Sequence, residues 1–402
     1  IIYVNTGKNQ KERVLKIAAM LNGAMKVAAA LQSTDEKILE NIKRTNISLD
    51  TISEVASQGK VVDADTYTEI ILGLPGDSVE THTNSLRDTV NRGLGIIRMY
   101  QLILLPQTEM NSPPSRAQYK IKTRHRIMPR SYGEYEILGE KVASVESEEI
   151  CIETESMTQE EYLDCRELDL TVEILHNGNV FLELWYLCDW LKTSWFDLLL
   201  RFHKKRKTFS PQLKSLYQDF REGTLKGSWP TRQGLEDHVK SNVQDYLNET
   251  EGTNEMSKAK AIAFFYLQEE LHERLYEEMR NVFQEEGIYD ENLKQYLQEF
   301  KLFSRLKKKD AINTTARFTQ KFHYDFLTIM NENKGVDPRN YRLMVPIEYQ
   351  FYRDNAQKQL IDSYVQRFGG NTIDSLGKIL MKSGMMNLFR KVSPSSYSDV
   401  SL

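Results

Sequence analysis

The stretch that decides the fold is EIILGLPGD, residues 69–77, in which an apolar run enters a turn that contains two glycines. The run lacks the alternation of a strand with one exposed face, which favours a parallel strand buried on both faces. Glycine permits backbone conformations that other residues rarely adopt, and Asp77 or Ser78 is a suitable cap for a following helix. The stretch therefore predicts a strand, a tight turn and a helix.

A second stretch, LQSTD at residues 31–35, repeats this arrangement and is followed by IKR at residues 42–44. Strands that alternate with helices of this length indicate right-handed parallel βαβ units, and four such strands fit one half of a partial barrel. The patterns predict strands at residues 1–4, 25–31, 69–72 and 98–105, and helices at residues 12–21, 35–42, 48–57 and 78–90.

The pattern changes after Pro106. Residues 1–110 are predicted to form the half barrel, and residues 111–157 a basic connector with an added strand at residues 146–155. Residues 158–392 read as a helical C-terminal domain, and the serine-rich tail, residues 393–402, as disordered. The fold class is therefore α/β plus all-α, with half of a TIM-like barrel first. The clearest predicted C-terminal helices are residues 159–176, 180–202, 210–221, 231–247, 256–286, 291–305 and 356–368.

The composition excludes several classes of protein. A net charge of −4 gives no basic face for nucleic acid. The apolar stretch at residues 179–202 carries five charged side chains, which a bilayer span does not tolerate, so no membrane span is predicted. Cys151, Cys165 and Cys188 are widely spaced, which argues against a disulfide scaffold and for the reducing cytoplasm. Each is expected to be a buried thiol.

Two sets of residues suggest a ligand site. Gln32 and Ser33 follow a parallel strand, at the end where barrels place their sites, and the forked guanidinium of Arg44 suits a carboxylate. The alternative is a helix cap at Ser33 and a surface Arg44. The turn at residues 73–77 lets a ligand approach the backbone, or is only a tight turn with a helix cap. Local features leave both alternatives open.

The order of these motifs carries a resemblance. LQS at residues 31–33, KR at 43–44, ILGLPGD at 71–77 and YQLILLP at 100–106 are together similar to the radical S-adenosylmethionine superfamily. The branch with an N-terminal cobalamin-binding domain is the most similar, and PRSYG at 129–133 and DCR at 164–166 also resemble it. The resemblance covers about residues 1–175.

The resemblance implies roles for particular residues. Gln32 and Arg44 match positions that hold the methionyl part of S-adenosylmethionine, with Arg44 on its carboxylate. Ile71 and Gly73 match the strand that packs against the adenine, which the end of the last strand, at Leu105, also touches. Asn5 matches a position near the ribose or methionyl group, and Ser33 is added because it lies at the strand end. The predicted cofactor-binding residues are therefore Asn5, Gln32, Ser33, Arg44, Ile71, Gly73 and Leu105.

Two positions depart from the pattern of this branch. Gln107 stands where the branch has glycine after the last strand. Glutamine can replace that glycine only if the turn needs no positive φ. Glu69 stands where the superfamily has a glycine early in the third strand.

The chain is thus expected to be part of a longer enzyme that cleaves S-adenosylmethionine reductively. The implied cofactors are S-adenosylmethionine, a 4Fe-4S cluster and cobalamin, with the cluster and cobalamin bound mainly upstream, because the three cysteines are too far apart to hold a cluster. The expected reaction is cobalamin-dependent methyl transfer, rearrangement or cyclisation on a small-molecule substrate, with a reducing electron donor. The catalytic residues and the substrate are not assigned. The alternatives are a cluster-free, aldolase-like barrel enzyme and a non-catalytic helical binding module.

Overall fold

The structure is a computed structural model that describes residues 2–3, 13, 16–17, 20–21, 25–28, 31–45, 66–332 and 335–395. The predicted contact residue Asn5, the predicted helix at residues 48–57 and the tail beyond residue 395 lie outside the described residues.

Within the described residues, the secondary structure alternates at first and is mostly helical later. The strands are β1 (Ile2–Tyr3), β2 (Met25–Ala28), β3 (Thr66–Leu72), β4 (Ile96–Gln101), β5 (Lys122–Ile137), β6 (Glu140–Glu153), β7 (Ser228–Trp229), β8 (Phe318–Tyr324), β9 (Arg342–Tyr352) and β10 (Lys391–Pro394). The helices are α1 (Glu36–Asn41), α2 (Val79–Asn91), α3 (Pro113–Gln118), α4 (Gln159–Leu175), α5 (Leu182–Leu191), α6 (Trp195–Lys204), α7 (Pro211–Lys226), α8 (Arg232–Ser241), α9 (Val243–Leu247), α10 (Glu255–Tyr266), α11 (Gln268–Glu285), α12 (Glu291–Lys308), α13 (Phe326–Glu332), α14 (Asn355–Phe368) and α15 (Ile373–Ser383).

The chain divides into two compact units. The first comprises Ile1–Glu173 and Tyr217–Met256, and the second Ile174–Leu216 and Ser257–Leu402. The chain is mixed α/β, with small sheets and a helical C-terminal region, so this coarse part of the predicted fold class is confirmed. The predicted domain boundaries after residues 110, 157 and 392 stay predictions.

A four-stranded parallel sheet, in the order β1-β2-β3-β4, opens the first unit. Side chains on both faces of β3 are buried, among them Tyr67 on one face and Ile70 and Leu72 on the other, as the unbroken apolar run predicts. Helix α2 connects β3 to β4, so the strand–helix–strand order expected from the sequence is confirmed here.

The fourth strand ends earlier than predicted. It was expected at residues 98–105 but spans Ile96–Gln101. Beyond Gln101 the chain changes partner: the Leu104 amide donates to the Glu149 carbonyl at 2.9 Å, and Cys151 donates to the Leu102 carbonyl at 2.9 Å. Leu102 therefore bonds to both sheets, since its amide still donates to the Leu72 carbonyl of β3 at 2.9 Å, and residues 103–104 lie against β6.

The predicted connector contains a long antiparallel hairpin, β5–β6, in the first unit. The added strand expected at residues 146–155 is confirmed, but it begins earlier and pairs with a strand, β5, that the sequence did not predict. Charged side chains occupy its cross-strand positions; for example, Arg126 lies 2.6 Å from Glu148. Such pairs stabilise a sheet without producing the apolar alternation by which strands are recognised.

Three predicted C-terminal helices are each interrupted in the structure. The helix expected at residues 231–247 breaks at Asn242, between α8 and α9. The helix expected at residues 180–202 is split into α5 and α6, because Lys192 adopts φ 56° and Ser194 caps α6 by accepting from the Asp197 amide at 3.1 Å. The helix expected at residues 256–286 breaks at Leu267, between α10 and α11.

The helical reading of the C-terminal region missed a three-stranded antiparallel sheet, β10-β9-β8, in the second unit. Its alternation is short: Phe322 and Tyr324 on β8 and Tyr349 and Phe351 on β9 are fully buried. Two alternating aromatic residues on each strand are too few for a recognisable strand pattern. Strand β10 extends to Pro394, two residues into the segment predicted to be disordered.

The three cysteines are buried and free, as expected. Cys151 and Cys165 belong to the core of the first unit, and Cys188 is buried in the second. Burial raises the pKa of the Cys151 and Cys188 thiols to about 12 and raises that of Cys165 further. In the described part of the chain, no helix combines the length and apolar character needed to cross a membrane.

Candidate functional site

Three neighbouring strands end together at the carboxyl edge of the parallel sheet. The Gln32 amide donates to the Glu69 carbonyl at 2.7 Å, and the Ile71 amide donates to the Gln32 carbonyl at 2.8 Å. On the next strand, the Leu102 amide donates to the Leu72 carbonyl at 2.9 Å. Gln32 and Ile71, two predicted cofactor-binding residues, therefore share one hydrogen-bonded edge.

Gln32 has a left-handed backbone, with φ 72°. Such a conformation costs a non-glycine residue about 1–3 kcal/mol, and it persists only where the surroundings hold it. Here the two ladder hydrogen bonds to β3 hold it. The left-handed residue turns the chain out of the sheet and into the turn that precedes α1.

The Ser33 hydroxyl faces the protein interior. Ser33 is buried, its Oγ accepts from the Asp35 amide at 3.2 Å, and it lies 3.4 Å from Ser85 Oγ on α2. Asp35 caps α1 by accepting from the Ile38 amide at 2.9 Å. These contacts give Ser33 a structural position behind the turn, and its predicted cofactor contact stays a prediction.

Arg44 lies just beyond α1, at the opposite end from Gln32. The helix has six residues, which places its two ends about 9 Å apart. The half-buried Arg44 donates its amide to the Leu39 carbonyl at 2.9 Å, closing the C-terminus of α1. Next to it, the exposed Lys43 pairs with Glu109 at 2.5 Å.

Helix α1 is joined to the glycine turn by a residue that sequence reasoning missed. The Asn41 carboxamide donates to the Pro75 carbonyl at 2.9 Å. Gly76 has φ 88°, and a Cβ added to it would lie 2.8 Å from Asn41 Nδ2, so a glycine is required for both conformation and space. No local pattern marks Asn41, because its partner lies far along the sequence.

The turn at residues 73–77 is held from within by Asp77. Its Oδ2 accepts from the Gly73 amide at 3.0 Å, and its Oδ1 accepts from the Thr81 hydroxyl at 2.8 Å. Burial raises the pKa of the Asp77 carboxyl, although the charge of His82 and the hydrogen bonds of the turn act in the opposite direction. The Gly73 amide is therefore already engaged, and a Cβ added to this buried glycine would lie 3.8 Å from Cys151 Sγ.

Ser78 caps helix α2 with a full capping box. Its hydroxyl accepts from the Thr81 amide, and the Thr81 hydroxyl accepts from the Ser78 amide. The first turn of α2 is thus satisfied by its own side chains, which argues against an anion site at this helix N-terminus. The geometry therefore favours the interpretation of residues 73–77 as a tight turn followed by a helix cap.

A buried ionic cluster lies behind the turn and was not predicted. His82 Nε2 on α2 lies 2.8 Å from Asp169 Oδ1 on α4, and Arg166 donates to Asp169 Oδ2 at 3.0 Å. Burial lowers the pKa of His82, but the charge and hydrogen bond of Asp169 and the charge of Asp77 outweigh it, so that pKa is raised. The cluster fixes the helix that starts at the glycine turn.

Beyond the last strand, the turn does require a positive φ. Gln107 has φ 64°, in the region that favours glycine. Glutamine would be harmless only in a turn with negative φ, so this residue strains the turn. The Leu105 carbonyl closes this turn by accepting from the Thr108 hydroxyl at 2.8 Å, and the Leu105 side chain is 58% exposed. Leu105 therefore offers an apolar side chain that the described residues do not cover fully.

Glu69, the second departure, is accommodated by a pair across β3 and β4. Its carboxylate lies 3.8 Å from Arg98, which is its register partner. The Arg98 guanidinium also lies 4.2 Å from the centre of the Tyr67 ring. A charged residue can therefore replace glycine here because its charge is paired on the face of the sheet.

The described residues do not provide an iron–sulfur or other metal site. In the described ranges no group of three histidine, cysteine, aspartate or glutamate side chains is arranged to hold a metal ion. Burial raises the pKa of each of the three cysteine thiols and keeps them protonated, whereas metal ligation requires thiolate. The three buried cysteines therefore do not fit a cluster.

Comparison with known proteins gives two curated relatives, while no family model matches. The 2-(S-pantetheinyl)-carbapenam-3-carboxylate methyltransferase of Streptantibioticus cattleyicolor is 32% identical over 182 residues, 44% of this chain and 26% of that protein. The cobalamin-dependent radical SAM methyltransferase TokK of Streptomyces tokunonensis is 30% identical over 181 residues, again 44% and 26%. The chain thus matches about a quarter of the length of these relatives. The resemblance to the cobalamin-binding branch of the radical S-adenosylmethionine superfamily is confirmed.

Proposed function

We propose that the chain is part of a cobalamin-dependent radical S-adenosylmethionine methyltransferase, and that its parallel sheet is half of a partial (β/α) barrel. Both relatives are methyltransferases by name, which favours methyl transfer over rearrangement or cyclisation. The same relatives weigh against the aldolase-like enzyme and the binding module. The parallel order of four strands, with a helix between β3 and β4, supports the half barrel.

The observation that carries the proposal is the shared carboxyl edge of the sheet. Gln32 is hydrogen-bonded directly to the strand that contains Ile71 and leads to Gly73. The resemblance assigns S-adenosylmethionine to this same set of residues. Ligands of open parallel sheets bind outside the carboxyl ends of the strands, which is where this edge lies.

The residues present fit the two ends of S-adenosylmethionine. The guanidinium of Arg44 would hold the carboxylate of the methionyl part with charge-assisted hydrogen bonds, and the carboxamide of Gln32 would orient it. The half-buried Ile71 and the exposed Leu105 would cover the adenine, with Gly73 leaving room beside it. Asn5 would complete the site.

The cluster and cobalamin are proposed to be held by other parts of the whole protein. The buried cysteines of this chain do not fit the cluster. The chain's own contribution is to bind and orient S-adenosylmethionine at the edge of the sheet. The small-molecule substrate, the reducing electron donor and a cytoplasmic location remain proposals.

The test uses the whole protein that contains this chain, purified without oxygen, loaded with iron, sulfide and cobalamin, and then reduced. We expect 5'-deoxyadenosine and S-adenosylhomocysteine to form from S-adenosylmethionine. Arg44→Ala should weaken S-adenosylmethionine binding by about 2 kcal/mol, or roughly thirtyfold, since one charged hydrogen-bond partner is lost. The matched control is Lys43→Asn, which removes a neighbouring exposed cation and suits the left-handed backbone at that position, φ 53°.

Two outcomes would contradict the proposal. Absence of both products, with full cluster and cobalamin absorbance, would exclude the reaction. Equal S-adenosylmethionine affinities of the Arg44→Ala and Lys43→Asn variants would remove Arg44 from the site while leaving the reaction in place.

A further inference from the structure

A small cavity lies within the second compact unit, between α5 and the C-terminal end of α12. Its volume is about 30 Å³, and a cavity needs only about 10–15 Å³ on this measure to hold one water molecule. Leu182, Phe303, Met330 and Phe389 form apolar walls. The remaining wall is polar, and its charged side chains are two lysines, Lys307 and Lys308, and one carboxylate, Glu183.

The one carboxylate of this wall, that of Glu183, is paired with Lys308. Glu183, which is buried, accepts from the Lys308 ammonium at 2.8 Å, from the Ser304 hydroxyl and from the Tyr276 hydroxyl at 3.4 Å. The Ser304 hydroxyl also lies 2.9 Å from His272 Nε2. Burial lowers the pKa of His272 far below its usual value, so the imidazole is neutral. Glu183 therefore neutralises Lys308, and within the described residues it makes no ion pair with a second cation.

Lys307 is that second cation. Its side chain lines the cavity, and within the described residues its ammonium makes neither an ion pair nor a hydrogen bond. Burial lowers its pKa, and only the charge of Glu183 acts against this. The Lys307 side chain is only half-buried and its ammonium is not enclosed, so an anion can reach it, and a partner there would offset the cost of partial burial.

The end of helix α12 does not supply the missing counter-charge. Its terminal carbonyls would attract a cation, but two buried arginines already occupy this region. Arg390 donates to the Leu306 carbonyl at 3.4 Å and to the Lys309 carbonyl, and Arg353 donates to the Ala311 carbonyl at 2.7 Å. These guanidiniums add positive charge beside the cavity and leave Lys307 uncompensated.

A second donor lines the same cavity. Asn179 has φ 57°, and its backbone is engaged, since its amide donates to the His176 carbonyl at 3.0 Å. Within the described residues its carboxamide makes no hydrogen bond. The cavity thus combines one ammonium, one carboxamide and apolar walls.

We propose that this cavity binds a small organic carboxylate, with Lys307 as its counter-charge and Asn179 as its hydrogen-bond donor. A carboxylate has one negative charge and two oxygens, which this pair of groups can satisfy. A phosphate dianion needs more donors than the cavity offers. The apolar walls suit a short aliphatic group attached to the carboxylate. The site is independent of the proposed methyltransferase function.

The experiment titrates the full 402-residue chain with sodium propionate at constant ionic strength and follows binding by calorimetry. We expect saturable binding of propionate and none of propionamide, its neutral analogue. Lys307→Met and Asn179→Gly should each weaken propionate binding by about tenfold or more, since each removes one partner of the anion. Lys309→Met is the control, because it makes the same charge change on the same helix end at an exposed position.

The variants are chosen so that they fold. Methionine keeps the length of Lys307 without its charge, and glycine favours the left-handed backbone of Asn179, so thermal unfolding should remain cooperative in both. The proposal is overturned by the absence of saturable propionate binding, or by propionate affinities that neither Lys307→Met nor Asn179→Gly changes. Equal binding of propionamide would make the cavity an apolar site, and equal affinity for chloride would make it a general anion site; either result overturns the carboxylate assignment.

Discussion

The carboxamide of Asn41 donates a 2.9 Å hydrogen bond to the carbonyl oxygen of Pro75. This bond joins two segments that the resemblance assigns to one cofactor: the end of α1, which leads to Arg44, and the turn that begins at Gly73. The arrangement depends on Gly76, which lies against Asn41 and has no side chain. The relative position of the two segments is therefore fixed by a contact that touches neither predicted ligand residue.

The first prediction concerns Gly76. Gly76→Ala places a methyl group 2.8 Å from Asn41 Nδ2 and forces alanine to φ 88°. The backbone conformation alone costs about 1–2 kcal/mol, and loss of the Asn41 hydrogen bond adds about 1 kcal/mol. Urea unfolding of the chain measures the sum. In the whole protein we also expect weaker binding of S-adenosylmethionine.

The matched control is Gly139→Ala at the tip of the β5–β6 hairpin. Gly139 has φ 84°, almost the same as Gly76, but nothing lies within 4 Å of an added Cβ. It therefore reports the backbone cost alone. Equal destabilisation by the two substitutions, with unchanged S-adenosylmethionine binding, would show that the Asn41 contact has no role.

Much of the first unit was predictable because its signals are local. The apolar run of β3 and the glycines of the following turn lie within a few residues, and the structure has the end of the strand and the turn where the sequence placed them, although the strand begins earlier, at Thr66. Strand β5 of the hairpin was missed because charged pairs replace apolar alternation on it. The C-terminal sheet was missed because only two aromatic residues alternate on each of β8 and β9.

The contacts that hold the candidate site together were not predictable in this way. Asn41 and Pro75 are 34 residues apart, and His82 and Asp169 are 87 residues apart. Each pair follows from the packing of two helices or a helix and a turn, which periodicity does not specify. Sequence reasoning therefore found the candidate ligand residues, and the structure adds the residues that position them.

The second prediction concerns the turn after the last strand. Gln107 adopts φ 64° and is exposed, so glycine would relieve its backbone without loss of packing. Relief of the left-handed backbone is worth about 1–2 kcal/mol. This exceeds the free-energy cost of the extra conformational entropy that glycine gives the unfolded chain, about 0.5–1 kcal/mol. Gln107→Gly should thus stabilise the chain by up to about 1 kcal/mol in urea unfolding.

The same substitution in a helix serves as its control. Gln118 is exposed and is the last residue of α3, where glycine should be destabilising by up to about 1 kcal/mol. Opposite signs for Gln107→Gly and Gln118→Gly are therefore expected. Destabilisation by both would mean that the left-handed conformation of Gln107 carries no strain.

The third prediction compares two ion pairs of the β5–β6 hairpin. Arg126 lies 2.6 Å from Glu148, whose side chain is only 5% exposed. Arg126→Met leaves that carboxylate buried without its partner, which should cost about 3 kcal/mol. Lys141 and Glu134 form the comparison pair at 2.9 Å, and because both are exposed, Lys141→Met should change stability little.

A double variant separates the two causes of this loss. Replacing both Arg126 and Glu148 by methionine removes the pair without leaving a buried charge, so most of the lost stability should return. Urea unfolding of the single and double variants measures the difference. A double variant as unstable as Arg126→Met would show that the loss comes from packing instead of from the unpaired carboxylate.

The fourth prediction is a pH dependence that originates at His82. The charge and hydrogen bond of Asp169 raise the folded-state pKa of His82 despite its burial, whereas the unfolded value is about 6.5. A raised pKa means that the charged pair stabilises fully below about pH 6.5 and that this stabilisation is lost as the pH rises through the folded-state pKa. His82→Gln should therefore cost about 3 kcal/mol at pH 6 and less at pH 9.

The measurement is the difference in unfolding free energy between the unchanged chain and His82→Gln at each pH. Asp77 is coupled to His82, because the charge of each group shifts the pKa of the other, so the difference reports the loss of the His82 charge together with its effect on Asp77. A difference that is constant between pH 6 and pH 9, or that grows with pH, would mean that His82 is neutral in the folded chain. The ionic cluster behind the glycine turn would then consist of Asp169 and Arg166 alone, with His82 held by an uncharged hydrogen bond.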